Sequence, residues 1–267
     1  MRPYLRTLAY VVLILALYLI ASIIIGFLGG FYFSTIHDVD LDAVETLVGT
    51  YMVWIAAGSG LLMLAFLYLL FWGAGGNLWT YSRFRKVPSM TLFSSLGGGV
   101  GLSFLVTGLI KLLQLEQLFP EHQEMMEQLV LQPGFLLSMI TVGIFIPIFE
   151  EIMYRGVIMN RLRASFPITF AIVLQALIFG VMHGNVLQGG YTFIIAIIFG
   201  LYFFWSASLW VPIMMHIGMN STSVIRAHFL PEPWAPATLL LAGALLLLLS
   251  MFYYHRQQRP RQKTEGS

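Results

Sequence analysis

The chain has 267 residues, of which 58% are hydrophobic and 10% charged, with a net charge of +2. A soluble domain carries about 25% charged residues, and the mean hydropathy of +0.83 fits a polytopic membrane protein. No basic, aromatic-interleaved stripe suggests nucleic acid as a partner, and the lack of cysteine excludes disulfides, thiolate metal sites and a cysteine nucleophile.

A spanning helix needs roughly 20 apolar residues. Taken in chain order, the apolar runs predict spans at 8–30, 50–73, 92–113, 135–153, 168–187, 190–207, 209–229 and 236–254. The expected fold is therefore all-α and polytopic, with about eight transmembrane helices. The first run is too long for a signal-peptide core and is read as a retained helix. Residues 1–134 are read as three N-terminal helices with their loops. Residues 135–229 form a chemical core, and 230–267 a last helix with a polar tail.

Loop charge gives an orientation. Arg2 and Arg6 precede span one, and Asp38, Asp40, Asp42 and Glu45 follow it. Arg83, Arg85 and Lys86 follow span two. Glu116, Glu121, Glu124 and Glu127 follow span three. Arg155, Arg161 and Arg163 follow span four, and Arg256, Arg259, Arg261 and Lys263 close the chain. Basic and acidic segments alternate, which predicts both termini in the cytoplasm and a cell-membrane location. The stretch LGGGVGL at 96–102 lacks the Lys and Ser/Thr of a phosphate loop. It reads as small residues for close helix packing.

Ionisable groups inside spans are functional candidates by default. They are Glu150, Glu151 and Arg155 in span four, His183 in span five and His216 in span seven, joined by the amides of Gln175 and Asn220. Glu151 and Arg155 are four apart and can pair on one helix face. Glu150 lies about 100° away, with no charged partner on its own face. An unpaired carboxylate in a low-dielectric setting suits general acid–base chemistry. His216 and Asn220, again four apart, can donate to a developing oxyanion or serve as interhelical glue. Glu150, His183 and His216 are also candidate metal ligands, since two His and a carboxylate suit zinc. At this level the water-activating and zinc readings both stand. No HExxH occurs. Ser59 in AAGSGLL has Ala57 where a GxSG motif would need glycine, so a serine nucleophile is disfavoured.

The run EEIMYR is EExxxR, FGVMH is FxxxH and HIGMN is HxxxN, in that order and each within an apolar helix. This set resembles the CPBP family of intramembrane proteases, also called the CAAX protease and bacteriocin-processing, or Abi, family. The resemblance covers roughly residues 135–225. It implies that Glu150 activates water together with His183, that His216 and Asn220 stabilise the tetrahedral intermediate, and that Glu151 and Arg155 support them. It also implies an all-helical fold with the site sunk in the membrane and a membrane-associated peptide or protein C-terminus as substrate. A non-proteolytic scaffold or bacteriocin-immunity protein is the alternative. One geometric condition attaches. With span four ending at 153, Glu150 and His183 differ in depth by roughly 10–15 Å. A shared site needs span four to run through Arg155 toward Arg163, or to bend at Pro147.

Overall fold

The computed structural model describes residues 3–37, 51–230 and 234–264. The acidic loop residues Asp38, Asp40, Asp42 and Glu45 lie outside the described residues. Among the described residues there is no strand. Eight long helices follow one another: α1 (Pro3–His37), α2 (Met52–Gly73), α3 (Ser89–Leu112), α4 (Phe135–Arg163), α5 (Ile168–Val181), α6 (Val186–Ser206), α7 (Trp210–Phe229) and α8 (Pro236–Thr264). Short helices at Leu78–Tyr81, Leu115–Leu118 and Pro120–Met126 connect them.

The chain is an all-α polytopic membrane protein. Six of the eight long helices among the described residues are long and apolar enough to cross a membrane, so the predicted count of eight spans is not met. α5 has 14 residues and is about 21 Å long, against roughly 30 Å of hydrocarbon. α7 has the length but not the hydropathy, because His216, Asn220, Ser221, Thr222, Ser223 and Arg226 interrupt its apolar face.

α4 runs unbroken to Arg163, ten residues past the predicted end of the span at 153. It includes wide turns at Met139–Phe145 and Ile152–Met159, of the π type. Such turns accommodate a proline and re-aim side chains, and they occur most often at functional sites. Pro147 has no N–H to return to the preceding turn. The carbonyls of Val142 and Gly143, one turn earlier, accept from α7 side chains: Asn220 Nδ2 at 3.0 Å and Ser221 Oγ at 3.2 Å. The proline thus ties α4 to α7.

The glycines of LGGGVGL do pack helices. A Cβ on Gly99 would sit 1.8 Å from the Met215 carbonyl oxygen of α7, and one on Gly101 would sit 2.8 Å from the Gly243 oxygen of α8. From the other side, a Cβ on Gly218 would meet the Leu96 oxygen at 2.3 Å. α3 is thereby clamped between α7 and α8 at backbone distance, and the segment carrying His216 is held against it.

The basic loops share one end of the bundle. Asn160 Nδ2 donates to the Tyr81 carbonyl at 3.0 Å, Leu209 N donates to Arg83 O at 3.0 Å, and Ser208 Oγ donates to Arg85 O at 2.6 Å. Thr7 and Ser165 are bridged at 2.7 Å. The N-terminal turn and the segments after α2, α4 and α6 therefore gather on one face. The guanidinium of Arg83, which has Arg163 and Arg85 as neighbours, is held below its ordinary pKa, first by burial and then by those like charges.

Candidate active site

α5 stops at Val181, and its apolar sequence continues without a helix. His183 is not on the predicted span 168–187 as a helical residue. It lies in the turn Met182–Asn185 that joins α5 to α6. Gly184 has φ +69°, a conformation glycine adopts without strain. Asn185 then caps α6, its Oδ1 accepting from Gln188 N at 3.0 Å. The two helices cross at Gly180 and Gly189, where a Cβ on either would approach the other's carbonyl oxygen to 2.7–2.8 Å.

The extension of α4 to Arg163 removes the difference in depth. Measured from the basic end at 1.5 Å per residue, Glu150 lies about 20 Å along α4 and His183 about 20 Å along α5 and its turn. Irregular backbone at such a level is tolerated where it lines a cavity.

Glu150, His183, His216 and Asn220 all line one cavity of about 470 Å³. Its wall is apolar and unusually rich in methionine, with Met52, Met125, Met126 and Met219. α1 contributes Tyr18 and Ser22, and α2 contributes Ile55, Ala56 and Ser59. The Ser59 hydroxyl donates back to Ile55 O at 2.7 Å, an ordinary helix back-bond.

Behind the cavity lies a buried charge relay. Arg155 Nη1 donates to Glu151 Oε1 at 2.7 Å, and both side chains are fully buried. The same oxygen accepts from His216 Nδ1 at 2.9 Å. A carboxylate can only accept, so Nδ1 carries a proton and Nε2 turns away from the pair. Nε2 lies 3.7 Å from Glu150 Oε2, an ion-pair separation beyond hydrogen-bond length. Arg155 is stacked between rings, its guanidinium carbon 4.6 Å from the centre of Phe179 and 5.3 Å from that of Phe199. The Phe199 ring also packs on His216 at 5.2 Å. Pairing with Glu151, aromatic faces and the Ala196 carbonyl, 3.4 Å from Nη2, together compensate a buried cation.

His183 Nδ1 donates to Phe179 O at 2.7 Å, so its Nε2 is the nitrogen left for chemistry. Glu150 and His183 do not come within ion-pair distance of each other; they face one cavity from separate elements. Gln175, the other amide noted in the sequence, is fully buried and lies outside the cavity lining. It donates to Ile172 O and Ala196 O, both at 3.0 Å, and ties α5 to α6.

Among the described residues no group of three or more His, Asp or Glu side chains converges closely enough to hold an ion. Glu150, His183 and His216 share the cavity without forming a ligand cluster. The zinc alternative therefore does not fit these residues as placed, and no step below is routed through a metal.

Two residues near Glu150 escaped the sequence reading. Tyr154 stands four after Glu150 and is fully buried against Phe179, with ring centres 4.8 Å apart. Its spacing was visible in EEIMYR. Tyr18, on α1, had no local signal linking it to Glu150.

Asn220 carries a testable structural load of its own. Asn220→Leu, close in volume, leaves the Val142 carbonyl without its side-chain donor. We expect a loss of about 1–3 kcal/mol in stability, read from thermal unfolding in detergent.

A polytopic helical protein with a partly buried carboxylate, two histidines and an amide around one cavity has the makings of a membrane hydrolase. Residues 132–222 match the family described as type II CAAX prenyl endopeptidase Rce1-like, which supports the resemblance to CAAX proteases carried by the three motifs. No curated protein and no solved structure matches the chain.

Proposed function

We propose that this protein is a glutamate-type intramembrane endopeptidase, with residues 135–229 as its catalytic core. One observation carries the reading: a carboxylate, two imidazoles and an amide from α4, α7 and the α5–α6 turn face one largely apolar cavity.

A water held between Glu150 and the free Nε2 of His183 gives its proton to Glu150 as its oxygen attacks the scissile carbonyl. His216, steadied by Glu151 at Nδ1, donates from Nε2 to the developing oxyanion. The second N–H of Asn220, the one not bonded to Val142, donates to the same oxygen. On collapse, the C–N bond breaks and Glu150 passes its proton to the departing amine. Such donors act most strongly in a site shielded from bulk water. Arg155 holds Glu151 in alignment by direct contact.

The substrate is a membrane-associated peptide or protein segment. The basic face of the bundle is taken as cytoplasmic by the positive-inside rule, which puts both termini there and the protein in the cell membrane.

The test compares wild type with Glu150→Gln at equal membrane abundance, reading the termini of membrane peptides by mass spectrometry. We expect peptide ends that occur only with wild type. Turnover of any peptide so identified should fall at least about 10²–10⁴-fold in the variant. Identical termini would overturn the protease reading and leave the scaffold or immunity role.

A further inference from the structure

α1 lies outside the matched segment, yet it supplies part of the cavity wall. From Val11 to Gly26 its sequence is VVLILALYLIASIIIG, in which Tyr18 and Ser22 are the only polar residues. They are four apart, hence on one face, and both line the cavity that holds Glu150. Ser22 spends its hydroxyl on the Tyr18 carbonyl at 3.0 Å. The Tyr18 ring packs against Phe149, the neighbour of Glu150 in sequence, with ring centres 5.4 Å apart and planes at 43°. Phe149 is itself buried, so the tyrosine ring is anchored and its hydroxyl has a defined place. Packing against Phe149 needs only the ring. A phenylalanine would do it; the hydroxyl itself has the Ser22 side chain and the Glu150 carboxylate within reach. Tyr18 and Tyr154 both lie within electrostatic reach of the Glu150 carboxylate, and Tyr18 is the one that reaches the cavity.

We propose that Tyr18 is a positioning residue for Glu150, its hydroxyl holding that carboxylate toward the water and the scissile bond. A phenol has one proton to give and a carboxylate only accepts, so the polarity of the pairing is fixed. The contact would engage one carboxylate oxygen and leave the other to take the proton from water. The inference rests on the reading of Glu150 as general base.

The full chain is reconstituted in lipid nanodiscs as wild type, Tyr18→Phe and Glu150→Gln. Each is assayed with a pool of internally quenched apolar peptides, and the carboxyl stretch of Glu150 is assigned by infrared difference against Glu150→Gln. Tyr18→Phe keeps the ring on Phe149, so a merely structural tyrosine should leave every readout unchanged. We expect kcat to fall about tenfold with KM within about twofold. We also expect the acid limb of the pH–rate profile and the Glu150 stretch to move. Wild-type kcat, pH profile and infrared band in Tyr18→Phe, with Glu150→Gln inactive, would overturn the role of Tyr18 alone. Cleavage undiminished in Glu150→Gln would instead remove the general-base reading, and the proposal with it.

Discussion

Arg155→Met should cost this protein about 3–5 kcal/mol of stability, among the largest losses any single change can cause. The guanidinium is fully buried and its partner Glu151 equally so. Methionine fills much of the same space but leaves a carboxylate in the core with only His216 Nδ1 to balance it. The attraction to Phe179 and Phe199 is lost as well. A second substitution separates the causes. Glu151→Gln removes the orphaned charge yet keeps an oxygen to accept from His216, so the double variant should be more stable than Arg155→Met alone. Thermal unfolding of wild type, both single variants and the double variant in one detergent gives the coupling energy directly. Equal stability of Arg155→Met and the double variant would mean that the buried charge is not what costs.

Gly99→Ala should do comparable damage with one methyl group. Its Cβ would stand 1.8 Å from the Met215 carbonyl oxygen and 2.9 Å from the Met219 nitrogen. Both neighbours are backbone, which cannot rotate aside, so α3 and α7 must separate. Overpacking of this kind costs typically 1–3 kcal/mol. The displaced atoms flank His216, and a misplacement of about 1 Å in a catalytic group can lower turnover about 100-fold. Gly97→Ala is the matched control, since nothing lies within 4 Å of its Cβ. Alanine there should be neutral or slightly stabilising for the helix. The pair is compared by unfolding temperature and by peptide turnover. Equal behaviour at 97 and 99 would show that the α3–α7 contact has room to spare.

Sequence and structure agree where the cause is local. The i, i+4 spacing of Glu151 and Arg155 foretells their ion pair, and LGGGVGL foretells a close helix contact, although not which helices it joins. The lengths of α4 and α5 were misjudged together. Hydropathy does not register where helix ends when the following residues are also apolar, so 168–187 read as one span. A signal was there in HGN: a glycine able to take positive φ, then an asparagine able to cap the next helix. The π-type turns of α4 were not legible, because they depend on α7 side chains that reach carbonyls freed near Pro147. Tyr18 was hidden for a similar reason. Its contact with Phe149, beside Glu150, is made by packing between helices far apart in sequence, and no periodicity within α1 names the partner.

The methionines of the cavity wall have a consequence for selectivity. Met52, Met125, Met126 and Met219 are unbranched, with three rotatable bonds and a polarisable sulfur each. A wall built this way yields to the shape of whatever enters, so it distinguishes poorly between one apolar side chain and another. Discrimination falls to the parts that do not yield: the imidazole fixed by Glu151, the amide tied to Val142 and the histidine held by its own helix end. On the proposed protease reading, these groups would meet a strained peptide unit at a set position. That reading makes the cavity tolerant of residue identity and strict about where the backbone lies.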